Sequence, residues 1–139
     1  MTSFLTTFPP QVLVVEDDVK LAALLCRALR DGGFGAEAAF DGQTALRRLS
    51  TERFAAVLLD VGLPGLGGLE VCARLRASGS CIPVIMLSAR DSVGDVLAGR
   101  QAGATDYLLK PFSLHEVYTR LDECVRATAG PHGQLIDAA

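Results

Sequence analysis

Four apolar runs in this chain each end at a polar residue with chemical use. Residues 12–15 lead into Glu16 and Asp17, 55–59 into Asp60, 84–87 into Ser88, and Leu108 and Leu109 into Lys110. If the runs are parallel strands, these ends share one edge of one sheet, and three acids, a hydroxyl and an ammonium converge on one cleft. That composition suits a divalent cation and a phosphoryl group. Carboxylates a few ångströms apart raise one another's pKa unless a cation offsets them, and Mg²⁺ takes a few hard oxygen ligands from protein while keeping several waters. Asp60 stands just before Val61-Gly62-Leu63-Pro64, whose backbone carbonyls offer a further oxygen. It is the best-placed nucleophile. An aspartyl carboxylate can attack a phosphoryl group when a metal and fixed donors hold the charge on the transferring oxygens, and Lys110 and Ser88 are the available donors.

The elements that must position these residues alternate along the chain. A polar leader ends at Pro9-Pro10, and 11–15 is a continuous apolar strand of the kind buried on both faces. From 20 to 30 the period changes: Leu21, Leu24, Leu25, Ala28 and Leu29 follow an amphipathic helix, with Gly32-Gly33 as its stop. A short strand at 34–39 follows, then a helix capped by Asp41 with Ala45, Leu46 and Leu49 inward. The strand 55–59 leads through a Gly-rich loop at 62–68 to a helix carrying Leu69, Cys72 and Leu75; Ser78-Gly79-Ser80 breaks it before the strand 83–87. A weak helix at 92–102, a last strand at 106–109, and a final helix opened by the capping box Ser113-Leu114-His115-Glu116 and running to about Ala127 complete five strand–helix repeats. Such alternation argues for a parallel sheet covered on both faces, with ligands bound outside the carboxyl ends of its strands. Neighbouring strands lie about 4.8 Å apart, so Asp17 and Asp60 can share a cation if the first and third strands are adjacent.

The 139 residues, half of them hydrophobic and 21% charged, fit a single compact domain. A net charge of −3 with no basic run gives no electrostatic reason for nucleic acid or an anionic membrane to bind. Cys26, Cys72, Cys81 and Cys124 lack paired ligand spacing and read as reduced, mostly buried thiols. The leader has neither a basic start nor a long apolar stretch, so a cytoplasmic protein without a membrane anchor is expected. The loop at 62–68 lacks the Gly-Lys-Ser/Thr ending of a nucleotide-binding P-loop, and His115 and His132 are expected at the surface.

Over residues 11–126 the chain resembles the receiver domains of two-component response regulators. Their paired acids fall on Glu16 and Asp17, their phosphoaccepting Asp on Asp60, their Thr/Ser after strand four on Ser88, and their Lys-Pro after strand five on Lys110-Pro111; Pro64 and Gly68 match the loop after the acceptor. The resemblance implies a flavodoxin-like, doubly wound (βα)5 three-layer α/β sandwich with parallel strand order 2-1-3-4-5. It implies a switch phosphorylated on Asp60 by a sensor histidine kinase, with no enzymatic role beyond limited self-phosphorylation and self-dephosphorylation. Mg²⁺ would be held by Asp17, Asp60 and the main-chain carbonyl of Gly62, with Glu16 acting through water. Lys110 would pair with Asp60 or its phosphate, the Lys110–Pro111 peptide would be cis, and Ser88 with Tyr107 would relay the signal. The wording around Ala104-Thr105-Asp106-Tyr107 and Lys110-Pro111-Phe112-Ser113 is most similar to the OmpR/PhoB-type subclass, which dimerises through helix four, strand five and helix five and carries a winged-helix DNA-binding domain. Asp106, Glu116 and Arg120 match that dimer face, while Thr105, Val96 and Asp122 depart from it. The organisation implied is a leader at 1–10, a receiver at 11–127 and the start of a linker at 128–139, with the effector absent.

Each residue alone has a plainer reading. Glu16 and Asp17 could be acids favoured by the dipole of the following helix, Ser88 a turn residue, and Tyr107 a half-buried strand aromatic. Independent caps have no reason to recur at several strand ends in this order, so the joint reading prevails. Gly94 and Gly99 each cost about 1 kcal/mol of helix stability relative to Ala, which makes the fourth helix loose or serves close packing. Gly62 and Arg90 flank the approach of attacking water and would tune the phosphate's lifetime. An Asp-nucleophile phosphatase of the haloacid-dehalogenase type would need an acid two residues after Asp60, where Gly62 stands; a receiver that binds partners without phosphorylation would be expected to lack one of the acids or the lysine.

Overall fold

The computed structural model describes residues 9–89 and 93–129. The leader up to residue 8, Arg90, Ser92, His132 and the tail from 130 lie outside the described residues. Five strands, β1 (Gln11–Val15), β2 (Gly35–Ala39), β3 (Ala56–Asp60), β4 (Val84–Ser88) and β5 (Asp106–Leu109), alternate with α1 (Val19–Asp31), α2 (Gly42–Thr51), α3 (Gly68–Ala77), α4 (Val93–Ala102) and α5 (Leu114–Ala129). They form one parallel sheet in the order β2-β1-β3-β4-β5. This is the flavodoxin-like three-layer α/β sandwich, and β1 and β3 are neighbours.

Strand parity sends alternate residues of the apolar runs into two cores. Val12, Val14, Ala56, Leu58, Ile85, Leu87 and Leu108 pack with Leu25 and Leu29 of α1 and Val117 and Leu121 of α5. Leu13, Val15, Val57, Leu59, Val84 and Met86 face Ala45 of α2 and Val71, Cys72 and Leu75 of α3, with Ala102 of α4 and Tyr107 at the margin. β3 and β4 are buried along their whole length, which is why they read as unbroken apolar runs rather than alternating ones. α1 begins at Val19, one residue before the expected start, with Asp18 as its cap: the Asp18 carboxylate accepts from the Lys20 and Leu21 amides at 3.0 and 3.1 Å. α5 runs two residues past the expected end, to Ala129. Cys26 and Cys72 are buried as expected, whereas Cys81 is exposed because it falls in the α3–β4 connection rather than on an inner face. No described helix is long and apolar enough to cross a membrane.

Candidate functional site

Sheet order and parallel register bring the polar strand ends together. Val15 of β1 lies beside Leu59 of β3, so the next residues, Glu16 and Asp60, are neighbours at the carboxyl edge. Asp60 closes β3 and is only 6% exposed. Its carboxylate accepts from the Gly62 amide at 3.1 Å, while the Val61 amide donates to the Leu87 carbonyl at 2.9 Å and fixes where the chain leaves the strand. α3 begins tight against this exit. A Cβ on Gly68 would stand 2.4 Å from the Asp60 carbonyl oxygen, so only glycine lets the helix start there.

Glu16 is almost fully buried. Its backbone amide donates to the Ala39 carbonyl at 3.0 Å, and its carboxylate accepts from the Asp18 amide at 3.1 Å. Burial pushes its pKa up to about 7, with the Asp60 carboxylate adding to the rise and the Asp18 amide and Lys110 ammonium opposing it. Asp17 is exposed. One carboxylate oxygen from each of Glu16, Asp17 and Asp60 lies within 4.8 Å of the other two. The all-oxygen, all-anionic donor set fits a hard divalent cation.

Lys110 stands over the two buried acids, its Nζ 3.5 Å from Glu16 Oε1 and 3.6 Å from Asp60 Oδ1. Its amide donates to the Ser88 carbonyl at 2.7 Å, tying the end of β5 to the end of β4, and the Lys110–Pro111 peptide is cis. Among the described residues this ammonium pairs with two of the three clustered carboxylates. Ser88 is buried and, with Asp60, Gly62, Leu69 and Lys110, lines an open cleft of about 460 Å³. Among the described residues, a Cβ on Gly62 would meet the Asp60 carboxylate oxygens alone, at 3.7 and 4.0 Å.

Other expected residues lie outside this cleft. Tyr107 pairs with Met86 of β4 and belongs to the α2/α3/α4 side of the sheet. Glu116 and His115 are exposed on α5. Arg120 donates to Asp106 at 2.6 Å within the same chain, so the two charges matched to a dimer face satisfy each other. Leu69, at the start of α3, is an apolar wall of the cleft that reads in sequence as one more inner-face residue of a helix; nothing in its type or spacing marks it.

The sequence profile described as response regulator receiver domain matches residues 12–122. Response regulator MprA of Mycolicibacterium vanbaalenii is 45% identical over 131 residues, covering 94% of this chain and 57% of MprA. Transcriptional regulatory protein TcrA of Mycobacterium tuberculosis is 44% identical over 128 residues, covering 92% of this chain and 51% of TcrA. The chain therefore spans about half the length of these curated relatives. Among solved structures, the receiver domain of Francisella response regulator 1452 superposes with a TM-score of 0.83 at 35% identity, covering 86% of this chain and 98% of that one.

Proposed function

The chain belongs to the response-regulator receiver family, and from that premise we propose that it is a phosphorylation-activated switch whose acceptor is Asp60. The observation that carries this reading is a buried carboxylate at the wall of an open cleft, 3.6 Å from an ammonium and grouped with two further acids. In the transfer, an Asp60 carboxylate oxygen forms a bond to phosphorus while the bond from phosphorus to the donor breaks. The donor is a phosphohistidine of a sensor kinase, whose leaving imidazole nitrogen keeps the electron pair and binds a proton, or a small acyl phosphate, which leaves as its carboxylate anion with the electron pair on oxygen.

Asp17, Asp60 and the Gly62 carbonyl would hold Mg²⁺, with Glu16 ordering a water on it. The ion, when bound, supplies positive charge to the phosphoryl oxygens. Lys110 trades its pairing with Asp60 for one with the new phosphoryl group, and the Ser88 hydroxyl donates to another of its oxygens. Ser88 and Tyr107 then pass the change to the surface of α4, β5 and α5. In the longer protein the output would be control of an effector of the OmpR/PhoB kind, a DNA-binding domain following the linker; the name of TcrA, a transcriptional regulatory protein, supports that placement. We assign the receiver to 11–127 and the location to the cytoplasm.

The test is to add Mg²⁺ and acetyl phosphate and weigh the intact protein. One added phosphoryl group is expected, absent from Asp60→Asn and absent when EDTA replaces Mg²⁺. No adduct on the unsubstituted chain would sink the reading, and steady hydrolysis of many phosphate esters would replace it with a phosphatase.

A further inference from the structure

Tyr107 holds an unusual place. Its phenolic oxygen is buried with no hydrogen-bond partner among the described residues, although the residue as a whole is only half-buried. A buried hydroxyl without a partner is unfavourable, so the burial of the ring must hold it there. The residue of α4 that meets the ring is Gly99. A Cβ at this position would stand 2.7 Å from Tyr107 Cε2 and 2.8 Å from Cδ2, with Met86 Sδ at 3.2 Å. No side chain fits there unless the ring moves. The other glycine of α4, Gly94, is exposed while Gly99 is buried. The two glycines, alike in helix propensity, therefore differ in what surrounds them.

We propose that Gly99 is a positioning residue for Tyr107: the absent side chain at position 99 creates the seat that keeps the ring against α4 and β4. Seat and ring make one two-position element. With the seat open, the ring is in and its hydroxyl unpaired; with the seat filled or closed by movement of α4, the ring is driven out and its hydroxyl reaches water. The seat itself follows from packing alone. Its use in signalling rests on the function proposed above.

The chain has two tyrosines and no tryptophan, so in a Tyr118→Phe background tyrosine emission reports Tyr107 alone. Acrylamide quenching is expected to rise several-fold on Gly99→Ala and to stay unchanged on Gly94→Ala. Melting supplies the second readout. Gly99→Ala should lower Tm when Tyr107 is present and raise it in a Tyr107→Ala background, where only the gain in helix propensity remains. Should Gly99→Ala alone fail to fold, folding of the Gly99→Ala/Tyr107→Ala double variant supports the seat, and its failure to fold overturns it. Unchanged quenching, or an equal loss of Tm with and without the ring, also overturns it. The intact mass after acetyl phosphate treatment separates the two ideas: a chain that takes no phosphoryl group but shows the quenching and melting results loses its signalling role and keeps its seat.

Discussion

The two edges of the sheet solve opposite problems with the same five strands. At the amino edge, Arg76 at the end of α3 donates to the carbonyls of Gly103, Ser80 and Ile82 at 2.9, 3.2 and 2.7 Å, while the Thr105 hydroxyl accepts from the Val84 amide at 3.0 Å. One cation there gathers three loop carbonyls and ties the α3–β4 and α4–β5 connections together. At the carboxyl edge, Glu16, Asp60 and Ser88 are buried polar residues, and Lys110 pairs with two of the three clustered carboxylates. The Arg76 network at the amino edge pairs charge with acceptors inside the chain, whereas the carboxyl edge holds like charges together in a set compatible with a divalent cation. Stability should therefore respond to solution conditions at one edge and to substitution alone at the other.

The largest effect expected is on the carboxyl edge and depends on pH. Glu16 is raised from its ordinary 4.5 to about 7, so between those values the native state binds a proton that the unfolded chain has released. Metal-free protein should accordingly be least stable above pH 7 and gain stability as pH falls through the window from 7 to 4.5, by about 3 kcal/mol at most. Glu16→Gln should remove most of this slope and, at pH 8 in EDTA, raise the urea midpoint above that of the unsubstituted chain. Mg²⁺ at pH 8 should stabilise the unsubstituted chain and do less for the variant. A flat pH profile in EDTA, measured by urea titration at several pH values, would show that burial of Glu16 is not the tension this edge holds.

The amino edge gives the next effect. Arg76→Met keeps the aliphatic stem but leaves three carbonyls without their charged donor, and a loss of about 2 kcal/mol is expected, less than the sum of three such bonds because water reaches this edge. Yield of phosphorylated protein, read by intact mass below the denaturing range, should be unchanged. If Arg76→Met also abolishes phosphoryl uptake, the edges are not independent and the contrast drawn here is wrong.

What the sequence showed of these edges follows from how each is built. Glu16, Asp60, Ser88 and Lys110 were visible because each terminates an apolar run, and a parallel sheet must align such ends. The two-core packing was visible for the same reason: residues such as Leu58 and Leu59 can only face opposite layers. Arg76 carries no such mark, since its acceptors are backbone carbonyls as far as 27 residues away and any residue supplies a carbonyl. Gly99 had two readings in sequence, helix weakness and close packing. Only the ring of Tyr107, brought over it by the β4–β5 register, selects packing. Leu69 and the exposed Cys81 were hidden likewise, because an apolar residue's neighbour is decided by the fold and not by its own type.

The smallest effect concerns a pair that takes no part in either network. Arg120 and Asp106 are joined at 2.6 Å, with side chains 37% and 28% exposed, and an ion pair so accessible contributes less than about 1 kcal/mol. Arg120→Ala should barely move the urea midpoint. The same variant tests assembly. If the phosphorylated chain pairs through α4, β5 and α5, as its subclass resemblance suggests, Arg120 must either keep Asp106 or exchange it for an acid on a second copy. Exchange would make dimerisation of the phosphorylated protein weaken several-fold in Arg120→Ala when measured by sedimentation. Retention would leave the dimer intact and place its contacts on exposed apolar residues of that face, Leu97, Leu109 and Leu114. Exchange would break the 2.6 Å bond to Asp106 only to form one like it, and would leave a carboxylate that still holds the amide of Tyr107 at 2.8 Å without its cation, so retention and an unchanged dimer are the expected outcome.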